Sequence, residues 1–154
     1  KALRFIERAG RDPEPQVRLA AYRALAKKAP LRSAEFFRRL IEDEAFGARP
    51  ERERVAIATA LGETGADSAL KFFRDAFEAD RGGFFQRQRG SEMRMLAIAG
   101  LSAMGTVGAF KVLAREVQNR ANGKEVMVAA QKAALALKAK LEGQPTESSG
   151  GGEA

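Results

Sequence analysis

Arginines at equivalent positions supply the first chemical possibility in this sequence. Val17-Arg18-Leu19-Ala20-Ala21-Tyr22-Arg23-Ala24-Leu25 recurs as Glu53-Arg54-Val55-Ala56-Ile57-Ala58-Thr59-Ala60-Leu61 and as Met93-Arg94-Met95-Leu96-Ala97-Ile98-Ala99-Gly100-Leu101, at register shifts of 36 and 40. A guanidinium can hold a carboxylate or phosphate bidentately. Arg18, Arg54 and Arg94 are therefore either an anion-binding row or a set of structural pairs between neighbouring units. Their place among apolar residues favours the structural reading.

The same shifts align a second group of bases in the segments that follow. Arg38 and Arg39 are joined by Lys71 and Arg74, then by Lys111 and Arg115. Such a row suits an acidic peptide, an acidic protein surface or a phosphate backbone. Alternatively it is a solvated face, with Glu35, Glu42, Asp75, Glu78 and Glu116 as i to i+4 partners.

The third candidate is the segment 80–90, rich in Gly, Phe and Arg. Phe84 and Phe85 are placed to enter a partner groove and Arg81, Arg87 and Arg89 to form a charged rim. The competing reading folds the two Phe back over a neighbouring core. The carboxylates Glu42-Asp43-Glu44 and Glu51 with Glu53 lack a supporting constellation and read as solvating charges.

Catalysis has little to work with. The chain contains no His and no Cys, which removes His-based acid–base chemistry, thiolate metal sites and Ser-His or Cys-His nucleophile pairs. No Gly-rich phosphate loop precedes a Lys-Ser or Lys-Thr. The expectation is a non-enzyme without cofactor or metal. The missing Cys fits a reducing, cytoplasmic setting, and no apolar run approaches the ~20 residues of a membrane span.

The elements that position these residues read as paired helices. Pairs are expected over 12–47, 48–80 and 91–122, with a half-repeat over 1–11, a terminal helix over 124–142 and a disordered tail over 143–154. First helices are Ala-rich. Second helices carry Phe36-Phe37, Phe72-Phe73 and Val112-Leu113 at matching positions. Pro30 and Pro50 mark unit boundaries, Gly62, Gly65 and Gly105 mark helix ends and turns, and Ser91 suits an N-cap. A 45% hydrophobic content supports a core. Periods of this size indicate a solenoid, in which stacking buries faces that single units cannot.

With Val17-Arg18, Ala21 and Ala24-Leu25 recurring in this way, the array resembles HEAT repeats, including the HEAT-like units of phycobilin lyases. The resemblance covers about Lys1 to Leu141 and carries no chromophore chemistry. It implies an all-α, right-handed superhelix with second helices lining the concave face. It also implies a ladder in which an Asp six positions before the Arg joins the stack. Asp12 has that spacing to Arg18, whereas Ala48 and Gln88 stand at the later positions, so Glu51 or Glu92 would have to substitute. Armadillo units would need a third helix, for which there is no room, and the tetratricopeptide signature is absent.

The functional expectation is a non-catalytic protein-interaction scaffold for a partner with an acidic or mixed surface. Nucleic-acid binding through backbone phosphates, as in some HEAT-like proteins, is the alternative. The net charge of +7 permits either. It is bimodal: 12 basic against 7 acidic residues up to Arg49, 4 against 6 over 50–79, and 11 against 5 over 80–142. The acidic centre argues against a continuous phosphate track. A start at Lys1 with an unpaired second helix suggests part of a longer array.

Overall fold

The computed structural model describes residues 2–78 and 87–143, with the backbone alone for 87–89. Among these residues lie eight α-helices and no strand. They are α1 (Ala2–Ala9), α2 (Pro15–Lys28), α3 (Pro30–Glu42), α4 (Glu51–Glu63), α5 (Asp67–Glu78), α6 (Arg87–Met104), α7 (Val107–Val117) and α8 (Gly123–Glu142). Short 3-10 turns at Glu44–Ala48 and Arg120–Asn122 complete them. The pairs α2/α3, α4/α5 and α6/α7 stack so that each first helix packs on its own partner and on the next first helix.

Local chemistry explains most boundaries. Pro15 occupies the first turn of α2 and Pro30 that of α3, where a missing N–H costs nothing. Pro30 therefore both stops α2 and starts α3, leaving Ala29 as the whole connection. The second helix of the 12–47 pair ends at Glu42. Asp43 then accepts a bond from the Ala45 amide and opens a 3-10 turn that buries Phe46. Thr106 caps α7 through the Ala109 amide.

Two glycine assignments separate on inspection. Gly65 has φ of 63°, a left-handed turn conformation, as expected for a helix end. Gly62 instead lies buried inside α4 and faces α6. A Cβ there would overlap the carbonyl oxygen of Gly100, and one on Gly100 would enter the Phe73 ring. Glycine at 62 lets α4 and α6 cross in backbone contact, and glycine at 100 makes room for the Phe73 ring of α5.

The core is one continuous cluster along the stack. Tyr22, Leu25, Phe37, Ile57, Leu61, Phe73, Leu101, Leu113 and Val126 are all but inaccessible. Phe37 meets Tyr22 edge-on at 5.9 Å between ring centres, and Phe72 meets Phe73 at 5.8 Å. Small first-helix residues permit close approach while second-helix aromatics fill volume.

The 80–90 loop is corrected in its second half. Residues 87–90 belong to α6, so Ser91 is an interior helical residue and not its cap. The helix thus begins four residues before the expected 91. Gly90 is tolerated within the helix at a cost of about 1 kcal/mol.

Candidate interaction surface

The repeated arginines are structural. Arg18 donates from Nη2 and Nε to the Glu53 carboxylate at 2.6 and 2.8 Å, and from Nη1 to the carbonyls of Asp12 and Pro13. Arg54 makes a looser forward contact one unit on, with Nη1 2.9 Å from Glu92 and also donating to the Gly47 carbonyl. Arg94 donates to the Ala121 carbonyl. The ladder therefore runs forward, each Arg of the first two units reaching an acid in the first helix of the next unit. Asp12 takes part through its carbonyl alone, while its carboxylate accepts from the Glu14 amide. Glu92 plays the anticipated role; Glu53, not Glu51, fills the other.

Glu53 is the element that sequence reasoning misread. It is 3% exposed, not a solvating charge. Besides Arg18 it accepts from Arg49 at 2.7 Å and from the Tyr22 hydroxyl at 3.0 Å. Bonds from Arg18 above all hold its carboxyl down to about 2, against the cost of burial. Burial first, then the bond to Glu53, pushes the Tyr22 phenol up to about 12. The same carboxylate raises the Arg18 guanidinium still further. The available signal was the polar hydroxyl of Tyr22 on an otherwise apolar repeat face, which needs a buried partner.

The second-helix bases are largely matched within their own helices. Arg38 forks between Glu35 and Glu42, with contacts of 2.9 and 2.6 Å, and Arg39 reaches Glu35 at 2.9 Å. Lys71 pairs with Asp75 at 2.6 Å. Arg115 binds the buried Glu116 at 2.8 Å and approaches Glu78 of α5 at 3.7 Å. Asn119 and Asn122 complete the Glu116 shell. Arg74 and Lys111 are exposed and form no ion pair among the described residues. All five acids named as alternative partners are thus engaged.

A groove of about 650 Å³ lies where α1 meets α3. Phe36 and Leu40 form its apolar floor, and Arg11, Arg32, Arg39, Arg49, Glu7, Glu35 and Asp43 are among its lining. Arg32 is held by Glu7 at 3.0 Å, whereas Arg11 has no ion-pair partner among the described residues. Arg81, Phe84 and Phe85 lie outside the described residues, and Arg87 and Arg89 are placed only by the α6 backbone. No group of three or more acidic side chains among the described residues is positioned to hold a metal ion.

Residues 3–88, more than half of the chain, match the family of HEAT repeats. The chain belongs to the HEAT-repeat family. Its helical pairs, forward Arg–acid ladder and Ala-rich first helices are the HEAT elements in this sequence. HEAT repeats generally serve as protein-interaction scaffolds and are typically not enzymes. Neither a curated protein nor a solved structure matches the chain. No helix among the described residues is long and apolar enough to cross a membrane.

Proposed function

We propose that this HEAT array is a non-catalytic scaffold that holds a protein partner of mixed, locally acidic surface along its second-helix row. The observation that carries this reading is the distribution of free and matched charge. Arg11, Arg74 and Lys111 project without ion-pair partners, while their neighbours alternate in sign. A protein surface with its own alternating charges complements such a row. The groove over Phe36 and Leu40 adds an apolar anchor point.

A phosphate backbone fits less well. Arg38, Arg39, Lys71 and Arg115 already contact carboxylates, so a polyanion would have to displace or lie beside them. The test is capture from lysate at two salt concentrations, with nuclease in parallel, using the chain and an Arg74→Glu, Lys111→Glu variant. Discrete proteins that survive nuclease and are lost with the variant support the scaffold. Recovery of nucleic acid alone, released by salt, overturns it.

A further inference from the structure

The groove of about 650 Å³ between α1 and α3 opens because α1 stops early. Glu7 of α1 meets Arg32 near the start of α3 at 3.0 Å. Gly10, just after α1, lies against Phe36, so that a Cβ there would stand 3.2 Å from the ring. Beyond Phe36, the second half of α3 therefore has the α1–α2 connection beside it instead of a helix. Leu40, Asp43 and Arg49 continue the groove there, with Arg11 in its wall.

Hydrogen-bonding capacity in this groove is unevenly met. Its three carboxylates all have partners: Glu7 holds Arg32, Glu35 holds Arg38 and Arg39, and Asp43 accepts from the Ala45 amide through Oδ1. The arginines keep donors in reserve. Arg11 is exposed and makes no ion pair among the described residues. Arg39 uses only Nε, on Glu35, and its side chain is 75% exposed. Arg49 gives Nη1 to Glu53 but has a buried Nε with no acceptor, which favours any ligand that brings one. Among these donors, Phe36 and Leu40 form a partly buried apolar floor.

We propose that the groove binds a segment of the protein partner in which one bulky apolar side chain is flanked by Asp or Glu, a reading that rests on the scaffold function above and names the part of the partner it would hold. The apolar side chain covers Phe36 and Leu40. The flanking carboxylates meet Arg11 and Arg39, whose paired N–H groups match carboxylate geometry. Asp43 keeps Oδ2 for a backbone N–H of the same segment. A phosphate backbone carries no such donor, and its charge would lie against Glu7, Glu35 and Asp43 in the same groove.

Fluorescence anisotropy on the full chain tests this with three labelled peptides capped at both ends: Asp-Glu-Phe-Glu-Asp, the same peptide with Ser for Phe, and the same with Lys for every acid. The first should bind saturably with Kd below ~1 mM, and the other two at least about tenfold more weakly. Arg11→Glu should weaken the first peptide by about tenfold or more, whereas Arg11→Lys should stay within about threefold of the wild type, with circular dichroism melts as the folding control. Arg74→Glu with Lys111→Glu, placed elsewhere on the second-helix row, should bind the peptide as the wild-type chain does. Absence of saturable binding below ~1 mM, equal binding of the Ser peptide, or unchanged binding by Arg11→Glu overturns the groove assignment. Each of these leaves the scaffold reading in place, since capture from lysate tests that separately. Displacement of the peptide by an equimolar single-stranded oligonucleotide assigns the groove to phosphate and overturns the proposal as well.

Discussion

At the scale of single residues, the molecule is organised around a carboxylate that cannot be protonated without loss. Glu53 is held down to about 2 by Arg18, Tyr22 and Arg49, while an unfolded chain would titrate it near its ordinary value of 4.5. The unfolded state thus binds a proton first as pH falls, and stability drains away between pH 4.5 and 2 by as much as about 3 kcal/mol. Urea unfolding across that range should show the loss. Glu53→Gln should flatten this limb and cost about 3 kcal/mol at neutral pH, since it removes the charge that Arg18 and Arg49 share and turns one accepting oxygen into a donor facing a guanidinium. Tyr22 gives the opposite sign. Its phenol ionises near 10 when unfolded but at about 12 when folded, so its contribution is intact below pH 10 and is lost on rising toward 12. Tyr22→Phe should remove that alkaline dependence. Arg38→Ala, by contrast, should change stability by less than about 1 kcal/mol, because its partners are exposed neighbours on one helix. The i to i+4 partners of Arg38, Arg39 and Lys71 were legible in the sequence because spacing along one helix fixes them. The burial of Glu53 was not, because its partners come from α2 and from the turn before α4.

At the scale of helices, the α4–α6 crossing sets how closely the units stack. Gly62→Ala would force its new methyl against the Gly100 carbonyl and so push two backbones apart. The expected cost is about 1 to 3 kcal/mol, read as a fall in melting temperature. Gly65→Ala acts differently. It meets no neighbouring atom, and its cost of about 1 kcal/mol comes from a positive φ alone. Helix existence and pairing were readable from apolar period, Pro and Gly. The roles of Gly62 and Ser91 were misassigned because a local signal for a helix end looks the same whether or not tertiary packing continues the helix through it.

At the scale of the whole molecule, matched charge, free charge and apolar surface fall in different places. The second-helix row carries alternating charge with Arg74 and Lys111 left free, whereas the two ends of the stack carry apolar surface. Arg74→Glu with Lys111→Glu should reduce partner binding roughly tenfold or more, about 1.4 kcal/mol, measured by titration calorimetry.

The sequence by itself determined the repeat period, the helical pairs, the aligned bases with their same-helix acids, and the absence of His and Cys chemistry. These follow from residue type and from spacings of a few positions, which the geometry of a helix converts directly into neighbours. Only the tertiary structure decided that Glu53 closes the Arg18 ladder, that Gly62 is a crossing point, and that Arg11 shares a groove with Arg39. Each of these depends on residues about 30 to 40 positions apart being brought together by stacking, and how the helices cross is set by the volumes of all the side chains between them.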